Sequence, residues 1–144
     1  MSTHWFQNKQ IDWSSLFSYI GYFDKKPETK WSGSEELPDG IMTFPYPLYS
    51  KEVDAFIELF YSMDISDKNY LTTIKEYGLE ANHVSFGAHI GKADFKLLLA
   101  MLTCYMRQER FCDGIIAEAI KNGNLAGILR RLRDVIVRDS NIDL

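Results

Sequence analysis

Apolar residues recur at helical spacing along most of the chain, and that pattern predicts a mainly α-helical fold. Over residues 12–23, Leu16, Tyr19, Ile20 and Phe23 form one stripe behind Asp12, a residue type that caps helix N-termini. Lys25-Lys26-Pro27 ends that helix. A second stripe, Val53, Phe56, Ile57, Phe60 and Met63, follows Ser50 and predicts a helix with one buried face. Asp67 is placed to cap a short helix carrying Tyr70, Leu71, Ile74 and Tyr77, which Gly78 closes in a left-handed conformation. Between Leu79 and Lys92 the pattern weakens, and a short helix or a turn fits equally.

From Ala93 to Phe111 the chain is apolar on two sides. Phe95, Leu98, Leu99, Leu102 and Met106 lie along one side, and Leu97, Met101 and Cys104 along the other, so this helix is expected at the centre of the fold. Gly114 predicts a break near Phe111–Gly114 before a further helix to Lys121. After Asn122-Gly123 a last helix runs to Arg138, with Leu125, Ile128, Leu129, Leu132, Val135 and Ile136 inward and Arg130, Arg133, Asp134 and Arg138 outward. The stretch from Glu28 to Tyr49 lacks a helical period. Its Leu37-Pro38-Asp39-Gly40 is a turn sequence, and a hairpin is expected in which Thr29 to Gly33 pairs with Ile41 to Phe44, followed by an extended Pro45-Tyr46-Pro47 connection. The expected architecture is a compact bundle of five to six helices with a small β-hairpin near residues 28–45. One domain covers residues 1–144, with an aromatic-rich N-terminal layer over 1–49 and a helical core over 50–138.

Composition narrows the class. The 144 residues are 46% hydrophobic and 25% charged, the balance of a chain that folds around a core. Apolar runs are too short for a membrane-spanning helix, and the N-terminus has no basic and apolar signal pattern, so a cytoplasmic protein is expected. A net charge of −4 argues against a surface devoted to nucleic-acid phosphates. Arg130, Arg131, Arg133 and Arg138 make the last helix locally basic, but without aromatic interleaving they read as a solvated face. Cys104 and Cys112 both fall in apolar stretches and read as buried thiols in a reducing compartment. His4, His83 and His89 lack zinc-ligand spacing, hydrolase and phosphate-loop motifs are absent, and no metal or cofactor is expected.

The densest candidate for chemistry lies where the central stripe runs into charge. Steps of three and four from Phe95 through Leu99, Leu102 and Met106 reach Glu109, Arg110 and Asp113, with Arg107 beside them, and so predict charges inside the molecule. They read either as an ion-pair network tying the central helix to the N-terminal layer, or as the floor of a pocket. In the pocket an arginine would bind an anion and a carboxylate would act as acid or base. No catalytic residue is assigned. Trp31, Phe44, Tyr46 and Tyr49 are residue types that anchor interfaces, and they read as a candidate contact surface or as a lid over the helices.

In Arg107-Gln108-Glu109-Arg110-Phe111-Cys112-Asp113-Gly114, and in Phe44-Pro45-Tyr46-Pro47 leading into Val53, Phe56 and Ile57, the chain resembles an uncharacterised family of small bacterial and phage proteins. The resemblance extends over roughly Trp31 to Arg133 and implies a shared fold with no activity to carry over. The functional expectation is a non-catalytic interaction protein that regulates or inhibits another protein, an anti-defence role being one version. The alternative is an enzyme or binder that takes an anionic, nucleotide-like ligand in the Arg/Glu/Asp pocket.

Overall fold

The computed structural model describes residues 11–33 and 45–140. Their order is α1 (Trp13–Phe17), α2 (Ile20–Asp24), β1 (Lys30–Ser32), β2 (Tyr46–Leu48), α3 (Lys51–Ser62), α4 (Tyr70–Glu76) and α5 (His83–His89). A 3-10 turn (Ile90–Lys92) then leads to α6 (Phe95–Gln108), α7 (Ile115–Lys121) and α8 (Asn124–Ser140). The described residues form a helical fold with an antiparallel strand pair, the fold class that the sequence predicts.

α6 is the centre. Asp94 caps it by accepting from Leu97 N at 2.9 Å, and every residue from Leu97 to Met106 is buried, so no face of the helix is free for water. α4 packs on one side of it and α8 on another, where Leu125, Ile128, Leu129, Leu132 and Ile136 supply a fully buried stripe. α1 and α2 close the other flank of α8. Phe23 and Phe56 meet edge to face at 5.0 Å, joining α2 to α3. No helix of the described residues is long and apolar enough to cross a membrane.

Three elements depart in detail from the pattern. The helix expected over 12–23 is broken at Ser18–Tyr19, because Ser18 Oγ donates to the Ser15 carbonyl at 2.6 Å and Tyr19 N turns to Leu16 O at 3.3 Å. A serine hydroxyl competing for a helix carbonyl tightens the turn. The ambiguous segment after Leu79 contains α5, capped by Asn82, whose side chain accepts from Ser85 N at 2.8 Å. The third departure is the strand pair: β1 pairs with Tyr46–Leu48, in the register Lys30↔Leu48, Trp31↔Pro47 and Ser32↔Tyr46. The expected Ile41 to Phe44 strand and the Leu37–Gly40 turn lie outside the described residues. The segment read as an extended connection is itself a strand, which proline permits where its missing N–H would have faced away from the partner.

Candidate functional site

The end of α6 and the start of α7 form a polar junction. α7 begins at Gly114, whose φ of 93° is open to glycine and which has no side chain to cap the helix. Its orphan N–H groups are satisfied from elsewhere. Glu109 Oε2 accepts from Gly114 N at 2.8 Å, and Oε1 accepts from Ile116 N at 2.9 Å and from the Tyr49 hydroxyl at 2.6 Å. The Tyr49 oxygen in turn accepts from Ala117 N at 3.1 Å, while Ile115 N reaches Cys112 O at 3.3 Å. A carboxylate at a helix N-terminus also gains from the helix dipole. Burial and the Glu109 carboxylate together raise the Tyr49 phenol well above its ordinary range, so it stays protonated as a donor.

The other three members of the charged cluster do not join this junction. Arg107 is half-buried, whereas Arg110 and Asp113 are exposed in the turn that follows α6, so the predicted interior position does not hold for them. The helix stops at Gln108, and the stripe that projected these charges inward stops with it. Arg110 lies over the Tyr61 ring at 5.0 Å. Among the described residues the ion pairs are Arg130 with Asp24 and Arg138 with Asp139, so Arg107, Glu109, Arg110 and Asp113 make none with one another. Cys104 is buried, and its thiol is pushed up to about 11 by desolvation. Cys112 is exposed, contrary to its apolar context, because it too falls in the turn beyond α6.

The candidate interface residues separate. Tyr49 is half-buried and tied to Glu109 as described; Phe44 lies outside the described residues. Trp31 and Tyr46 are 49% and 46% exposed, joined on the strand pair by Leu48 at 48%. Directly opposed residues share a face of a sheet. Trp31 and Pro47 therefore occupy one face, and Tyr46 and Leu48 the other. The Trp31 ring sits so close to Gly114 that a Cβ there would come within 2.3 Å of it.

Beside Trp31 opens a cleft of ≈ 480 Å³ between the chain from Lys26 to Trp31 and the exposed side of α7. The two walls run antiparallel, since Lys26 Cε approaches the Gly123 position and Trp31 approaches Gly114. In that antiparallel order Lys26 and Lys121 fall towards one end and Trp31 and Gly114 at the other, with Glu28 and Glu118 between them in sequence. Sequence reading missed these four charged residues. The available signals were the Lys-Lys-Pro helix stop and the Glu118–Lys121 spacing on one side of α7, but pairing them required the tertiary fold.

The described interior polar groups are mostly engaged. The Tyr105 hydroxyl accepts from Asn124 Nδ2 at 3.0 Å and bonds His83 Nδ1 at 2.9 Å, and Asn124 also donates to the His83 carbonyl. Arg131 of the basic last helix donates to the Ala93 carbonyl at 3.0 Å. No curated protein and no solved structure matches the chain. Residues 8–138, nearly its whole length, match the family described as Family of unknown function (DUF6508), and the chain belongs to that family.

Proposed function

We propose that the chain is a non-catalytic protein-interaction module that recognises a segment of another protein at the Trp31 cleft. The observation that carries this reading is the half-exposed Trp31, seated on Gly114 at the mouth of a cleft whose walls carry charges unpaired among the described residues. Tryptophan and tyrosine held rigidly at a surface are the side chains that most often dominate binding energy. The alternative anionic pocket has less support, because Glu109 spends both oxygens on α7 and Tyr49, and Arg110 and Asp113 lie exposed in the turn after α6. Within this reading the chain regulates or inhibits its partner. Its resemblance to small bacterial and phage proteins suits that role, and two free thiols suit a reducing compartment.

Selection of random linear peptides against the immobilised chain tests the proposal. Enrichment of a sequence family whose binding is lost in Trp31→Ala is expected. Absence of any enriched family, or turnover of a nucleotide or ester library that Glu109→Gln abolishes without lowering the melting temperature, would overturn it.

A further inference from the structure

We infer that the recognised segment binds as an added strand on the outer edge of β1, which rests on the protein-binding reading and specifies its form. In the observed register Trp31 faces Pro47. Proline has no N–H to give, so this is the non-hydrogen-bonded pair of the antiparallel ladder, and the flanking pairs Lys30–Leu48 and Ser32–Tyr46 carry the inter-strand bonds. The N–H and C=O of Trp31 consequently point away from β2. Trp31, the outward member of the ladder on β1, also lines the cleft.

The two edges of the pair are not equivalent. On β2 the outward register falls on Pro45 and Pro47, which remove the donors that an incoming strand would need. β1 keeps its donor and acceptor. Among the described residues the β1 edge is therefore the one open to strand addition, and its Trp31 lines the cleft.

The walls specify the occupant further. Neither Lys26, Glu28, Glu118 nor Lys121 takes part in an ion pair among the described residues. Each level of the cleft carries one sign on both walls, lysines at one end and glutamates next. The complementary partner is an extended peptide bearing an acidic side chain, a basic side chain and an apolar side chain in that order, the last against Trp31. α7, with seven residues, spans about 10 Å at ~1.5 Å per residue, which accommodates roughly three residues of extended chain. Short length with main-chain pairing is the recognition mode of strand addition.

The test uses the full chain and a synthetic peptide of the enriched family. N-methylation at successive positions is expected to weaken binding at alternate residues, several-fold at each sensitive one. Trp31→Ala should weaken it roughly tenfold or more, and exchanging the peptide's acidic and basic residues should weaken it against the parent but not against a Lys26→Ala, Lys121→Ala, Glu28→Gln, Glu118→Gln chain. Melting curves of each variant establish that it is folded. A peptide that binds but tolerates every N-methyl group, or that is sensitive at helical spacing, would overturn strand addition while leaving protein binding intact. Failure to recover any peptide would overturn both, as would a chain that self-associates through this edge and excludes the peptide.

Discussion

The α6–α8 interior and the β1–α7 rim use polar groups in opposite ways. Inside, Tyr105, Asn124 and His83 close a hydrogen-bonded set between three helices, and Thr103 back-bonds to Leu99 O while receiving Asp67 N. At the rim, Trp31 turns its main-chain groups outward, and four charged side chains face a cleft without partners among the described residues. Buried polar groups must be matched at folding, whereas exposed ones need not be. The contrast separates what builds the molecule from what remains for a partner. Glu109 marks the boundary, being a candidate for chemistry by sequence and a helix cap by position.

Substitutions sharpen this contrast in order of size. Leu102→Ala, in a fully buried site on α6, should cost about 2–5 kcal/mol in urea unfolding without changing peptide affinity. Glu109→Ala removes acceptors from two α7 N–H groups and from Tyr49; a loss of about 2–3 kcal/mol is expected, with Glu109→Gln falling between. A Glu109→Ala variant as stable as the parent would break the distinction at its boundary. Gly114→Ala forces a side chain into a φ of 93° and against the Trp31 ring, for about 1–2 kcal/mol. Combining it with Trp31→Ala should relieve the contact but not the backbone strain.

Alkaline titration probes the raised phenols, the buried Tyr105 among them. Desolvation raises the Tyr105 phenol from 10.0 to about 12. A neutral form favoured in the fold adds stability that is complete below the unfolded value and disappears as pH rises through the folded one. Urea stability should thus decline between about pH 10 and pH 12, and Tyr105→Phe should flatten part of that decline. The smallest effect is chemical: a maleimide should label one thiol of the folded chain, the exposed Cys112, and both thiols after denaturation.

Periodicity made α3, α6 and α8 legible because each carries an uninterrupted apolar stripe into the core. It could not show the break at Ser18, where a hydroxyl competes for a backbone carbonyl, since the apolar stripe continues across it. Extrapolating the α6 stripe through Arg110 and Asp113 failed for a related reason: spacing has meaning only while the helix lasts, and it stops at Gln108. The exposed Cys112 follows from the same stop. The role of Glu109 was hidden because its partners lie on α7 and at Tyr49, although a glycine-capped helix does announce that its N–H groups need outside acceptors. The cleft was least legible. Lys26 and Lys121 are neighbours only after α2 and α7 have both packed on α8.

The most direct measurement is amide hydrogen exchange at Trp31, read by NMR in the free chain and with a saturating selected peptide. The outward-facing N–H should exchange rapidly when free and slow markedly when the peptide is bound. Protection already present in the free chain, or exchange unchanged at saturation, would contradict the account.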